Sequence, residues 1–276
     1  MYIFISKRAN NFSKFIVNLI LENFTEIKIH SNVLQIDKSD IVIGHFNDRT
    51  PYKNKNGYNI LISGESYNKG GFRDYDLSIT TINDFQSKVN IYYPHLYASL
   101  HEHSLSVNPS DYINTKKYFC AYMYSHDVEH RVKYFNLFND VHALGKSQNN
   151  IQKIDDRYND NYLDQAVKIY TDYKFVLALE NKYKEYYFTE KLINPIIANS
   201  IPIYWGHPSI FEFINKKRVI YIQDFESDED LVNYVMNLTD EEYYEIINEP
   251  IYLKTPHEID ENLRLSIQKI LSNINV

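Results

Sequence analysis

Short apolar runs rich in Ile and Val alternate with polar or helical stretches through the first hundred or so residues. Tyr2–Ser6 reads as a strand, and about Asn11–Phe24 as a helix. The runs EIKIH, DIVIGHF, YNILIS and YDLSITT follow. Apolar runs of this length, separated by helices or loops, predict a mainly parallel sheet covered on both faces. Ser104–Lys117 is polar, contains Pro109 and has no periodic apolar pattern, which marks a linker. The pattern then restarts. KKYFCAYMYS predicts a strand, and HDVEHRVKYFNLFND a helix with Val128, Val132, Phe135 and Leu137/Phe138 near helical spacing. KFVLALE predicts a short buried strand, FTEKLINPIIANS a helix enclosing Pro195, and IPIYWG and RVIYI further strands. DEDLVNYVMNLT and IDENLRLSIQKILSNI read as amphipathic helices with acidic residues at the start, where the helix dipole favours them. Two starts of the same strand–helix pattern predict an α/β chain of two Rossmann-like domains, 1–112 and 113–276. No repeat at solenoid periods is present.

Composition narrows this picture without changing it. A chain of 276 residues fits two domains at about 150 residues each. With 7 Gly and 8 Pro it is not collagen-like, and 15% aromatic residues argue against disorder. The net charge of −7 speaks against general nucleic-acid binding, yet leaves room for a local cationic pocket. The 26 tyrosines against one tryptophan read as a compositional bias of the source genome. The single cysteine, Cys120, excludes an internal disulfide, and its apolar setting predicts a buried, inert thiol. No apolar run reaches the roughly 18–20 residues of a membrane helix. The N-terminal segment lacks both a basic stretch ahead of its apolar run and a small-residue cleavage site. The expected setting is the cytoplasm.

The densest chemistry lies in Lys174–Phe213, KFVLALENKYKEYYFTEKLINPIIANSIPIYWGHPSIFEF. A buried strand ends in Glu180-Asn181, a Tyr-rich loop follows, and Thr189-Glu190-Lys191 opens a helix. Ligands of α/β sheets sit beyond the carboxyl ends of strands, and helix N-termini suit phosphate. Lys191 adds a full positive charge there, and Glu190 can accept bonds from two vicinal hydroxyls of a ribose. This turn is equipped for a nucleoside diphosphate. Neither G-x-G-x-x-G nor G-x-x-x-x-G-K-[ST] occurs, so neither an NAD-type fingerprint nor a P-loop is supported.

The ordered set F-x-L-x-x-E-N, Y-x-T-E-K-L and I-P-I-Y-W-G-x-P-S-I resembles the signature of the α1,3/4-fucosyltransferases of glycosyltransferase family 10. SHDVEHRVKYFNLF is similar to the family's preceding helix, whose phosphate-binding Arg corresponds to Arg131. VHALGKS resembles its short strand and Gly turn, here Gly145. YNILISGESYN resembles the strand that ends in the catalytic carboxylate, here Glu65. The resemblance is strongest after Lys174 and weak before about Asn59. It implies a GT-B fold, two Rossmann-like domains facing a central cleft, with acceptor binding in the first and GDP-fucose in the second. It further implies inverting transfer of L-fucose from GDP-fucose to a glycan hydroxyl, O3 or O4 of GlcNAc. Glu65 would be the base. Arg131, Lys191 and Tyr187 would stabilise the diphosphate, Thr189 and Glu190 would lie at the helix start and ribose, Asn181 would hold the donor or brace the loop, and Glu180 would assist. No essential metal is expected. Two alternatives stay open: a GT-B enzyme using another nucleotide sugar, and a non-catalytic sugar-binding module.

Two other patterns look ligand-like. Asp74-Tyr75-Asp76 has the Asp-x-Asp form that binds metal in another glycosyltransferase fold, and His101-Glu102-His103 pairs two imidazoles. The first begins a strand and matches a non-metal part of the resemblance, so no metal is expected there; the second lacks a third placed partner, so a solvated turn is expected. The acceptor is not legible in the sequence.

Overall fold

The computed structural model describes residues 1–65, 72–83, 85–103, 116–152 and 162–274. The chain forms two compact units, one of Met1–Ala98 with Thr255–Val276 and one of Ser99–Lys254.

The first unit carries strands β1 (Tyr2–Ile5), β2 (Lys28–His30), β3 (Ile41–His45), β4 (Tyr58–Ser63), β5 (Leu77–Thr80) and β6 (Val89–Tyr92). All pair in parallel, in the order β2-β1-β3-β4-β5-β6. Every residue of β3 and β5 is buried, as a parallel sheet covered on both faces requires. The first helical stretch is divided. Helices α1 (Lys7–Phe12) and α2 (Lys14–Leu21) meet at Ser13, whose φ of −144° lies outside the helical range. Helix α3 (His95–Leu100) follows β6.

The second unit contains β7 (Tyr118–Tyr122), α4 (Glu129–Phe135), β8 (Val141–Ala143), α5 (Tyr162–Tyr170), β9 (Tyr173–Leu179), α6 (Glu190–Ile197), β10 (Ile201–Trp205), β11 (Ile220–Tyr221), α7 (Asp228–Asn237) and α8 (Asp240–Asn248). Its sheet is also parallel, in the order β8-β7-β9-β10-β11. Phe175, Leu177 and Leu179 of β9, with Ile201 and Ile203 of β10, centre its core. Cys120 is fully buried there, and burial pushes its thiol far up.

The two sheets share one topology. In each, the second strand lies on one side of the first and the third on the other. The winding therefore reverses between β1 and β3, and again between β7 and β9, as in flavodoxin-like folds. Both units are thus Rossmann-like, as the patterning predicts.

The boundaries differ from the sequence reading. Helix α9 (Pro256–Leu271), expected with the second half, packs in the first unit against α2. A Thr255–Glu258 capping box starts it. It buries Leu263, Ile267 and Leu271 along one face, and Tyr93 Oη donates to Asp260 at 2.7 Å. Of the expected linker Ser104–Lys117, residues 104–115 lie outside the described ones. Lys116 and Lys117 already belong to the second unit's packing, with Lys117 paired to Asp172 at 3.1 Å.

Candidate active site

The reversal point of the second sheet gathers most of the residues the sequence singles out. Leu179 ends β9, next to β7. Its amide donates to Tyr124 Oη at 2.6 Å, and that hydroxyl donates to Leu177 O at 2.8 Å. Chain β7 stops at Tyr122, so the Tyr124 side chain takes over the role of a strand partner for β9. The Leu179 carbonyl accepts from Arg131 Nε at 3.2 Å and Nη2 at 3.0 Å. Arg131 Nη2 also donates to Asn181 Oδ1, and the guanidinium lies 4.1 Å from the Tyr124 ring centroid, a cation–π contact. An Arg only 5% exposed needs such partners to replace lost water. They come from β9 and its following loop, so α4 buries Arg131 and Tyr134. The Val128/Val132/Phe135 stripe that spacing suggests is only partly buried.

Close packing against the Tyr124 backbone depends on Gly145. A Cβ there would stand 2.1 Å from the Tyr124 carbonyl oxygen. Ser147, just beyond, donates its amide to that oxygen at 2.9 Å.

Helix α6 supplies the second part. Thr189 is its N-cap, and its side chain accepts from the Lys191 amide. Glu180 has no exposed surface. Its carboxylate accepts from the Thr189 amide at 2.7 Å and from Thr189 Oγ1 at 3.1 and 2.9 Å. Lys191 Nζ stands 3.7 Å from Glu180 and 3.2 Å from Glu190, and donates to Thr189 Oγ1 at 3.0 Å. Burial pushes the Glu180 carboxyl above its ordinary range, although Lys191 and the Thr189 bonds pull the other way. Burial also works against the charge on Lys191, but Glu190 and Glu180 outweigh it and hold the ammonium above its usual value.

These contacts sort the expected binding residues. Glu180, expected to assist, and Thr189, expected at the helix start, bond each other and hold that start in place. Glu190, Lys191 and Asn181 reach the surface, the first two with side chains 18% and 15% exposed. Tyr187 is buried beside Lys191. No motif legible in the sequence singles out Tyr124 or His130. His130 Nε2 donates to Glu180 O at 2.9 Å, and burial lowers its pKa, favouring the neutral imidazole. The only sequence sign of these two was their nearness to Arg131.

Glu65 lies in the other unit, two residues past β4. Its Oε1 accepts from Asn47 Nδ2 at 3.2 Å, its amide donates to Ser63 Oγ at 3.2 Å, and its carbonyl accepts from Thr81 Oγ1 at 3.3 Å. Asn47 is held in turn. Its amide donates to His45 Nδ1 at 3.1 Å, and burial, with Arg8 nearby, lowers the His45 pKa to about 4. Neutral His45 is therefore an acceptor at Nδ1. A polar chain runs from β3 to the partly exposed Glu65 carboxylate, at the carboxyl edge of the sheet.

The two ligand-like patterns are absorbed structurally. Asp76 pairs with Lys88 at 2.6 Å and accepts from the Asn59 amide, while Asp74 takes a turn position with φ 55°. His103 departs from the expected solvated turn: its side chain is buried between Asp164 and Asn194, 2.9 Å from each.

Residues 113–247 match the model of the glycosyltransferase family 10 (fucosyltransferase) C-terminal domain. A protein of Acanthamoeba polyphaga mimivirus named as a fucosyltransferase is 43% identical over 98% of this chain and 46% of its own length. Alpha-(1,3)-fucosyltransferase B of Drosophila melanogaster is 32% identical over 43% of this chain and 26% of its own. The chain thus spans less than half the length of these curated relatives. The crystal structure of an alpha1,3-fucosyltransferase with GDP-fucose superposes with a TM-score of 0.73 at 18% identity, covering 100% of this chain and 91% of that one. That likeness is one of fold, and the fold is GT-B. The matched stretch spans the whole Arg131–Lys191 constellation, which is thus that of a glycosyltransferase family 10 (fucosyltransferase) C-terminal domain.

Proposed function

We propose that the protein transfers L-fucose from GDP-fucose, with inversion, to a hydroxyl of a glycan acceptor, O3 or O4 of N-acetylglucosamine. The observation that carries this reading is the cation pair at one sheet reversal point: Arg131 fixed on the end of β9, and Lys191 fixed at the start of α6. Two cations on rigid elements, beside a helix N-terminus, are what a departing diphosphate needs. Glu190 receives the ribose hydroxyls. Asn181, bonded to Arg131, orients the donor, and Tyr187 packs beside Lys191.

In the reaction, the acceptor oxygen bonds to the anomeric carbon while the bond from that carbon to the diphosphate oxygen breaks. The electron pair leaves with GDP, and the acceptor proton passes to Glu65. Charge builds on the diphosphate as the sugar becomes oxocarbenium-like, as in glycoside hydrolysis. Fixed positive groups are most effective at that moment, because they need no reorganisation. In this scheme the first unit carries the base and the acceptor, the second carries the donor, and no resident metal takes part.

The test measures release of the nucleoside diphosphate, GDP from GDP-fucose and GDP-mannose and UDP from UDP-sugars, over type 1 and type 2 lactosamine acceptors, with wild type and Glu65→Gln. Turnover with GDP-fucose is expected, falling about 10²–10⁴-fold in the variant while GDP affinity is kept. Turnover that prefers another nucleotide sugar would reassign the donor. Donor binding and turnover both unchanged in Glu65→Gln would remove Glu65 as base.

A further inference from the structure

The carboxyl end of β10 carries an aromatic group that the diphosphate reading leaves unused. The His130 imidazole stacks on the Trp205 indole, with centroids 3.9 Å apart and planes 26° from parallel. The Tyr183 ring leans on Trp205 at 5.7 Å and on His207 at 5.2 Å. Its phenol interacts electrostatically with that of Tyr221, whose hydroxyl donates to Gly206 O at 3.0 Å. Tyr183 is nevertheless 49% exposed.

This combination is unusual for a loop side chain. A solvated tyrosine ordinarily keeps its rotamer freedom, and fixing it opposes folding. Here the ring is propped on two sides, by Trp205 and His207, yet about half its surface stays in water. A ring held ready in this way is preorganised for an apolar partner. Its position says which partner. Tyr183 comes two residues after Asn181, which bonds Arg131, and His130 is the neighbour of Arg131. In a nucleotide diphosphate sugar, the pyranose hangs from the terminal phosphate. Whatever lies beside the phosphate-binding Arg therefore meets a sugar ring. A pyranose presents a face of C–H groups, and flat aromatic surfaces with a polar tip suit it.

We propose that Tyr183, Trp205 and His130 form a shelf for the apolar face of a pyranose, either the fucose of the donor or the sugar that accepts it. The proposal rests on the fucosyl-transfer reading and extends it to a subsite.

The experiment uses the full chain, with Tyr183→Ala and Tyr183→Phe. Calorimetry gives Kd for GDP, which lacks a pyranose, and for GDP-fucose. Initial rates give KM for N-acetyllactosamine. In Tyr183→Ala, Kd for GDP is expected to stay within twofold of wild type, while Kd for GDP-fucose or KM for the acceptor rises at least fivefold. Whichever rises names the sugar received. Tyr183→Phe keeps the ring and should stay within twofold throughout. Both sugar-dependent constants unchanged in Tyr183→Ala would overturn the shelf. So would an equal loss for GDP alone, which would mark Tyr183 as loop packing. A wild-type protein that binds neither GDP nor GDP-fucose would instead overturn the donor reading beneath the proposal.

Discussion

Lys191 is asked to do two things, to neutralise buried carboxylates and to hold a diphosphate, and a double-mutant cycle can separate them. Lys191→Met removes the charge and keeps the length of the stem. At 3.7 Å from Glu180 and an effective dielectric of 20, the lost attraction is about 4.5 kcal/mol. Removing one partner of a buried pair typically costs about 3–5 kcal/mol. The bonds from Thr189 to Glu180 survive the substitution, so a value near the lower end, about 3 kcal/mol, is expected. For a domain of this size that corresponds to a fall in Tm of roughly 6–12 °C. Adding Glu180→Gln removes the stranded charge and should restore at least half the loss. Affinity for GDP should behave differently. Lys191→Met is expected to weaken it at least tenfold, about 1.4 kcal/mol, and the second substitution should not bring it back. Stability is read by urea unfolding near pH 7.5, and affinity by calorimetry. Stabilities that add to within about 0.5 kcal/mol would show that the two residues do not interact. GDP affinity that recovers together with stability would show that Lys191 acts only through the fold. The pH dependence gives a further check. Burial already holds the Glu180 carboxyl above its ordinary range, and loss of Lys191 raises it further. A carboxyl whose folded pKa exceeds its unfolded one loses stability as pH rises through it. Lys191→Met should therefore gain on wild type as pH falls.

Three more outcomes are expected. Tyr124→Phe strips Leu177 O and Leu179 N of their shared buried partner, and should cost about 1–3 kcal/mol in denaturant unfolding; an effect below about 0.5 kcal/mol would show that the hydroxyl is dispensable. Asn47→Ala frees the Glu65 carboxylate and should lower kcat more than it raises KM for GDP-fucose, with Asn47→Gln failing to rescue it because its amide lies one methylene too far out. Lys116, bonded to Ala198 O at 2.7 Å and Ser200 Oγ at 3.1 Å, has its pKa lowered to about 7 by burial. The folded state then binds fewer protons than the unfolded state up to about pH 10, so stability should rise with pH across that window, and Lys116→Met should flatten the rise in Tm.

The stretch Lys174–Phe213 shows what was readable. Its strand, turn, capped helix and second strand follow from local pattern and chemistry, and β9, α6 and β10 lie where that pattern puts them. Arg131 was readable only by resemblance. Periodicity places the apolar face of α4 on Val128 and Val132, because a buried Arg becomes affordable only through acceptors some fifty residues away, Leu179 and Asn181. The same distance hid the inward turn of Glu180. A Glu at the end of a strand looks solvated until its partner, Thr189, folds over it. Strand β6 was missed because it is short and only partly buried, with Val89 exposed, so its run lacks the continuous apolar pattern of β3 or β5. Helix α9 was recognised as amphipathic, but an apolar stripe does not say which sheet it will cover.

That last helix also sets a timetable. Between Ala98 and Thr255 the chain must extend by 156 residues, from 99 to 254, before the helix that covers α2 is made. At about 5–20 residues per second, the apolar ground reserved for Leu263, Ile267 and Leu271 stays open for roughly 10–30 s on the ribosome. The continuous unit of residues 99–254 can close during that time. The unit begun first is therefore the one finished last, and it is the one a chaperone would be expected to hold.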